Sequence, residues 1–315
     1  MPVTEDGHRP AKLHGPRRRR GGASWLPQPA TGSAALVTGA SSGLGAELTR
    51  SLAARGHDLV LVARRRDRLD ALARSLSGHG VQVHAVSCDL TEPDARKSLA
   101  AAVAELGLDI SVLCNNAGAA IAGEFVAYRA ERQVAVLRLN LEATVDLCGY
   151  FVPPMVRRGS GAVLNVGSLF SWAPAPRLAT YAASKAAVYA FTEALHTELR
   201  PHGVAVTALC PGTMPTEFMT HAGLAEALRR MPSSALDDPR AVAEHGIRAL
   251  ERNRRVTLPS ARDRSTVAVL RRLPHRATLG LLHRWPLLPH GGDGDVPDGN
   301  GDTAAAGMPT RRPVT

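Results

Sequence analysis

Tyr181 and Lys185 stand four residues apart in the run Tyr181-Ala182-Ala183-Ser184-Lys185. On a helix that spacing puts a phenol and an ammonium on one face. A free phenol titrates near pH ~10, too high for proton exchange at neutrality. A cation about 4 Å away contributes about 4 kcal/mol at an effective dielectric of about 20. At about 1.4 kcal/mol per unit, this could lower the phenol by up to roughly three units. The pair could then give and take a proton near neutral pH. A coincidental helical pair is the alternative, and composition weighs against it: only Lys12, Lys97 and Lys185 are lysines among 38 Lys and Arg residues. In a chain so rich in Arg, a lysine here points to a need for a compact ammonium, which can bond ribose hydroxyls and join a proton relay.

A second feature is the turn Thr38-Gly39-Ala40-Ser41-Ser42-Gly43-Leu44-Gly45, between a strand-like and a helix-like stretch. That is the context a dinucleotide fingerprint requires. Gly39 permits the tight turn, Gly43 lets the backbone approach a pyrophosphate, and Gly45 allows close packing of helix on strand. The helix start, with Ser41, Ser42 and Leu44, offers free N–H groups to phosphates. A glycine-rich turn without a ligand is the alternative. The end of the second strand chooses between dinucleotides. A carboxylate there favours NAD, but this chain has Ala63 followed by Arg64, Arg65 and Arg66. A guanidinium at Arg64 could hold the 2′-phosphate of NADP, worth roughly 1.5–3 kcal/mol or about ten- to hundredfold. An exposed basic helix start is the competing reading, better suited to Arg66 than to Arg64. Asp89, with Leu90 beside it, is placed to meet the adenine amino group.

These groups need elements to position them. Short apolar strands are expected at 34–37, 59–63, 81–86, 110–114, 162–166, 204–210 and 256–258. Helices are expected at 43–55, 67–76, 92–106, 128–152, 181–199 and 241–250. Gly56 is placed to end the first helix. Such alternation predicts a single α/β domain, a Rossmann-like doubly wound parallel sheet of about seven strands with helices on both faces. The strands read as apolar runs because both faces are covered. Residues 1–32 are expected to be a disordered basic extension, 33–260 the catalytic domain, 261–288 a helical segment and 289–315 a disordered tail.

Bulk properties narrow the function. The formal charge is +10, but much of it sits in Arg17–Arg20 and in Arg271, Arg272, Arg276 and Arg284. No aromatics interleave with these runs, so nucleic acid is not expected as a partner. The stretch after Arg20 is too short and too polar for a signal h-region. No apolar run reaches about 18 residues, the length of a membrane span. The Leu/Arg stretch 264–288 is the one candidate for lying on a membrane surface, and Pro274 and Pro286 interrupt it. Cys88, Cys114, Cys148 and Cys210 form no close pair, as expected of free thiols in the cytoplasm. The histidines show no metal-ligand spacing.

Taken together, the chain resembles a short-chain dehydrogenase/reductase of the compact single-domain branch, over about residues 33 to 259. The resemblance rests on Thr38 to Gly45, Asn115-Asn116-Ala117-Gly118, Asn140, Ser168, Tyr181 to Lys185, and Pro211-Gly212 followed by Thr216. Ser168 lies thirteen residues before Tyr181. The resemblance implies an NADP(H)-dependent enzyme moving a hydride between nicotinamide and a carbonyl/alcohol pair. It implies that Ser168 polarises the substrate oxygen, Tyr181 transfers the proton, and Lys185 holds the nicotinamide ribose and lowers the phenol. Asn140 would position a water linking Lys185 to solvent. Asn116, Ala117 and Gly118 would border the cofactor, and Pro211, Gly212 and Thr216 would wrap its nicotinamide end. A homodimer or homotetramer is implied as well. The Ala/Leu/Met content of 216–231 hints at an apolar substrate. Met214 and Pro215 inside the Pro-Gly loop depart from the pattern. The alternatives are a non-catalytic NADP(H)-sensing protein on the same fold and the longer epimerase/dehydratase branch. The latter normally needs more chain after Pro211.

Overall fold

The computed structural model describes residues 24–283. Its strands are β1 (Ser33–Thr38), β2 (Asp58–Ala63), β3 (Val83–Ser87), β4 (Asp109–Asn115), β5 (Gly161–Val166), β6 (Val204–Leu209) and β7 (Val256–Thr257). Its helices are α1 (Gly43–Ala53), α2 (Arg66–Ser75), α3 (Pro93–Glu105), α4 (Ala130–Leu137), α5 (Ala143–Arg158), α6 (Ala179–Leu199), α7 (Glu217–His221), α8 (Ala225–Arg230), α9 (Pro239–Glu251), α10 (Ala261–Leu270) and α11 (His275–His283).

The strands form one sheet in the order β3-β2-β1-β4-β5-β6-β7, and all six pairings are parallel. The expected architecture is thus the observed one. Alternate strand residues feed two cores. Ala35, Val37, Leu59 and Leu61 face one side with residues of α1, α2 and α9. Ala34, Leu36, Val60 and Val62 face the other with residues of α3 and α5. Small and branched side chains dominate both, as the scarcity of aromatics requires. β1 pairs with β2 on one side and β4 on the other. The chain reverses direction of travel across the sheet at this point, and in open sheets of this kind the ligand crevice lies there, beyond the strand carboxyl ends.

Two expectations need correction. Residues 24–32, expected to belong to a disordered extension, are placed against the domain. The Trp25 amide donates to the Glu251 carbonyl at 2.8 Å, and Leu26, only 6% exposed, joins the core beneath α9. A single apolar plug orders a stretch whose average composition argues against order. The long helix expected over 128–152 is instead α4, a π-helical turn at Arg138–Glu142 and α5. α5 also runs on through Pro153 and Pro154. Those prolines lack N–H groups, so the carbonyls of Gly149 and Tyr150 lose helical partners, but both residues are exposed and water can serve them. The stretch 264–288 forms α10 and α11 as far as the structure describes it; Val267 and Leu282 are buried, whereas Val269 and Leu279 are exposed. Residues 1–23 of the expected extension, 284–288 of the expected helical segment and the expected tail 289–315 lie outside the described residues.

Replacing Leu26 by Ala should cost about 2–4 kcal/mol of stability through lost burial and a cavity. A shifted urea midpoint would register it, and an unchanged midpoint would show that the segment is not part of the core.

Candidate active site

The functional residues gather along the carboxyl edge of the sheet. The turn after β1 and the loop after β4 are stitched together. The Asn116 and Ala117 amides each donate to Thr38 Oγ1 at 3.0 Å, and Asn116 Nδ2 donates to the Thr38 carbonyl at 2.9 Å. Gly39 has φ +64°, and a Cβ there would lie 2.9 Å from Ala117 Cα. At Gly45 a Cβ would lie 2.2 Å from the Gly39 carbonyl oxygen, so only glycine lets α1 seat on β1. Leu44 is buried in the core. Ser42 begins α1 without capping it. Across the crevice, Thr216 packs on Gly43, its Cγ2 standing 3.1 Å from where a Cβ would be.

Asn140 sits in the π turn and is 1% exposed. Its Oδ1 accepts from the Ala119 amide at 2.8 Å, and its Nδ2 donates to the Ala119 carbonyl and to Ser184 Oγ, each at 2.9 Å. Both N–H donors therefore clamp the loop after β4 to α6. Gly118 lies between this clamp and the lysine: a Cβ there would be 3.2 Å from Asn140 Oδ1 and 3.5 Å from Lys185 Nζ.

Ser168 follows β5 and starts a short turn, its Oγ accepting from the Phe170 amide at 3.2 Å. Ser171 Oγ braces it by donating to the Lys185 carbonyl at 3.0 Å. Ser168 lies close enough to the Tyr181 hydroxyl to lower its pKa. Lys185 lies one turn further along α6. Its ammonium donates to the Val166 carbonyl at 2.7 Å and stands 5.9 Å from the centre of the Tyr181 ring.

This geometry corrects the expected electrostatics. Burial pushes the Tyr181 phenol up to about 12, with only partial relief from Ser168. Burial likewise pushes Lys185 down to about 8. The Coulomb argument from spacing omitted the desolvation penalty, which is the largest influence on each group. The phenol is thus held protonated at neutral pH, the form that can donate a proton.

An apolar wall surrounds the hydroxyl. Phe170 meets the Tyr181 ring edge-on at 6.3 Å, and Phe218 of α7 lies 5.8 Å away. Ala222, Leu224 and Ala227 continue the same cluster. Arg177, just before α6, has the unusual φ of +65°. Its guanidinium donates to Glu124 at 3.2 Å and to the His283 carbonyl at 3.3 Å.

At the other end of the crevice Arg64 is exposed. Its neighbour Arg65 turns into the glycine loop instead and donates to Ser41 Oγ at 3.1 Å and Ser42 Oγ at 3.2 Å. Asp89 Oδ1 accepts from the Thr91 amide and hydroxyl at 2.9 and 2.8 Å, closing its own turn. Leu90 is buried, and its carbonyl accepts from Arg96 at 2.8 Å. Arg96, 1% exposed, also pairs with Asp146 at 2.7 Å and with Glu142 of the π turn. One side chain thereby ties the loop after β3 to the segment carrying Asn140. A signal for it existed, since Arg96, Leu99 and Val103 share the buried stripe of α3.

Nothing local in the sequence marks the last feature. After β6, buried Pro211 leads to Gly212, whose amide donates to Asp237 Oδ2 at 3.2 Å. A Cβ on Gly212 would fall 2.7 Å from Asp237 Oδ2 and 2.8 Å from Asp263 Oδ1. Two carboxyl groups from distant segments thus press on the Pro-Gly loop. Burial and the neighbouring Asp263 carboxyl raise Asp237 to about 6, opposed by Arg262, which pairs with it at 2.9 Å.

Comparison with known proteins bears on this arrangement. The family model described as short chain dehydrogenase matches residues 33–227. A short-chain dehydrogenase from Sphingobium yanoikuyae, solved in complex with NADPH, is 35% identical with a TM-score of 0.70, over 80% of this chain and 95% of that one. A short chain dehydrogenase/reductase from Burkholderia phymatum, solved in complex with NAD, is 26% identical with a TM-score of 0.67, over 75% and 92% of the two chains. An uncharacterized oxidoreductase of Staphylococcus epidermidis is 31% identical over 182 residues, which is 58% of this chain and 78% of that protein.

The Asp237–Asp263 pair makes stability fall with rising pH. Native Asp237 keeps its proton up to about 6, whereas its ordinary value is 3.8. Between those values the folded state holds a proton that the unfolded chain has released, so raising the pH favours unfolding. Thermal melts should show this decline in the wild type and a flatter profile in Asp237→Asn, with a higher Tm at neutral pH. Parallel profiles for the two proteins would refute the coupling.

Proposed function

The chain belongs to the short-chain dehydrogenase family, and on that premise we propose that it is an NADP(H)-dependent oxidoreductase acting on a carbonyl/secondary alcohol pair, with Tyr181 as general acid and base. The observation that carries this reading is Tyr181 set beside Ser168 within an apolar cluster, with the buried Lys185 ammonium one turn behind it, 5.9 Å from the Tyr181 ring centre. Bound nicotinamide supplies or accepts the hydride.

The residues present fit a dinucleotide. Gly118 leaves open the space beside Lys185 that a Cβ would fill. α1 starts without a side-chain cap or an acidic residue in its first turn, so its N–H groups and positive end suit a pyrophosphate. Asn116, Ala117, Thr216, Pro211 and Gly212 border the same crevice. Ser41, Ser42 and Arg65 form a basic, hydroxyl-rich corner where β2 ends without an acid. We assign the 2′-phosphate to Arg65 rather than Arg64, because Arg65 is the guanidinium directed at those serines.

In the reductive direction, Ser168 donates to the substrate carbonyl oxygen and Tyr181 protonates that oxygen as negative charge develops. The desolvated phenol is protonated at pH 7 and more acidic than the alcohol formed when the alkoxide takes its proton, so the transfer is downhill. Lys185 would hold the nicotinamide ribose and stabilise the phenolate that remains. Phe170, Phe218 and Leu224 exclude water and favour an apolar substrate. Exposed Val134, Leu137, Val145 and Tyr150 on α4 and α5 support self-association as a homodimer or homotetramer. The four buried free cysteines are in keeping with a cytoplasmic setting. Among the described residues no helix is long and apolar enough to cross a membrane.

A panel of apolar ketones and aldehydes followed by NADPH absorbance should reveal turnover. Tyr181→Phe should reduce it by about 10²- to 10⁴-fold while NADPH still binds by fluorescence titration; retained turnover would rule out the assigned role. Arg65→Ala should raise the KM for NADPH about ten- to hundredfold with little change for NADH, and Arg64→Ala should change neither. The reverse ranking would move the phosphate site to Arg64.

A further inference from the structure

The guanidinium assigned to the 2′-phosphate already has an anionic partner. Arg65 Nη1 donates to Glu217 Oε2 at 2.8 Å while its Nη2 bonds the two serines. The other Glu217 oxygen is taken by Arg68 of α2. Glu217 is the first residue of α7, and the next residue is Phe218, whose ring lies against Tyr181. Thr216, on its other side, packs on Gly43 of the glycine turn. One carboxylate therefore joins the coenzyme corner to the segment covering the proton donor.

We propose that Glu217 is a specificity-determining residue that stands where the coenzyme's 2′-phosphate must bind, so that the phosphate displaces it from Arg65 and Arg68 and releases α7 over the substrate cleft. The inference rests on the reading of Arg65 as the phosphate site. A planar carboxylate and a tetrahedral phosphate both offer paired oxygens to the same forked donors, and two guanidiniums cannot serve both fully. Glu217 is kept ionised at neutral pH, with Arg68 and then Arg65 holding it down to about 2. The other charges nearby do not compete: Arg66 pairs with Asp70, and Arg64 is exposed. With one carboxylate against two guanidiniums, the corner keeps a positive excess for a dianion.

Two consequences follow. A coenzyme without the phosphate leaves the Glu217 contacts intact and α7 in place. Because coupling between two sites is reciprocal, a variant that loosens α7 must bind the phosphate more tightly. The effect is at the modest end, since Glu217 and the two guanidiniums are each more than a third exposed and solvent screens them.

The test uses the full-length protein with 2′,5′-ADP and ADP as probes, alongside NADPH and NADH. Glu217→Gln keeps the shape and removes the charge. It should tighten 2′,5′-ADP and NADPH by about tenfold and leave ADP and NADH within about twofold. Limited trypsin digestion reads the lid independently, because Arg229 and Arg230 on α8 are exposed. Cleavage there should speed up when 2′,5′-ADP, but not ADP, is added to the wild type, and should be fast in Glu217→Gln without any probe. Equal or weaker NADPH binding by Glu217→Gln, or lid cleavage indifferent to 2′,5′-ADP, overturns the proposal. Arg65→Ala separates the two levels: if it leaves the NADPH-to-NADH ratio unchanged, the phosphate assignment itself fails. If it lowers that ratio while Glu217→Gln behaves as wild type, only the displacement fails.

Discussion

The site is held together by the buried amide of Asn140 meeting both polar groups of one residue, Ala119. An amide that accepts from a backbone N–H and donates to the same residue's carbonyl fixes that peptide in position and orientation. Its remaining donor reaches Ser184 on α6. Three segments remote in sequence (the loop after β4, the π turn and the helix bearing Tyr181 and Lys185) thus share one anchor. Removing it would strand several buried polar groups, each costing about 1–3 kcal/mol. The π turn supplies the aim, since its extra residue rotates the helix locally, as such turns often do at functional positions. Arg96 supports the turn from below, through Glu142 and Asp146.

What could be read from the sequence is what local spacing encodes. Seven apolar runs between helical patterns specify the sheet, because strands covered on both faces have little freedom in composition. The glycines at 39, 43 and 45 and the Tyr181–Lys185 step are legible because turn geometry and helix periodicity act over a few residues. Other features depend on contacts between distant segments. Which of Arg64 and Arg65 faces the glycine turn is set by how the chain leaves β2. Asp237 and Asp263 come together through α9, β7 and the turn into α10. Leu26 is one buried residue in a stretch of Pro, Gly and Arg, and an average over that stretch conceals it. The prolines of α5 looked like a helix end, yet the carbonyls they leave unpaired face water.

At Tyr181 and Lys185 burial governs the electrostatics more than pairing does. Tyr181 and Lys185 are both displaced toward their neutral forms, the direction desolvation always drives. Arg96 is also strongly desolvated, but two carboxylates more than compensate and its pKa is raised. Asp237 lies between these cases: its one cationic partner is outweighed by burial and a second carboxyl. Position relative to solvent, and not residue type, decides which groups are ready to exchange a proton.

Arg177 carries a consequence of a different kind. A non-glycine residue at φ +65° is strained by roughly 1–3 kcal/mol, and here it is held by Glu124 and by the backbone at the end of α11. The entry to α6 is therefore kept under tension by the far end of the described chain. Shortening or extending the protein near α11 acts on that spring rather than on an idle appendage, and it offers engineers a remote dial for the catalytic helix.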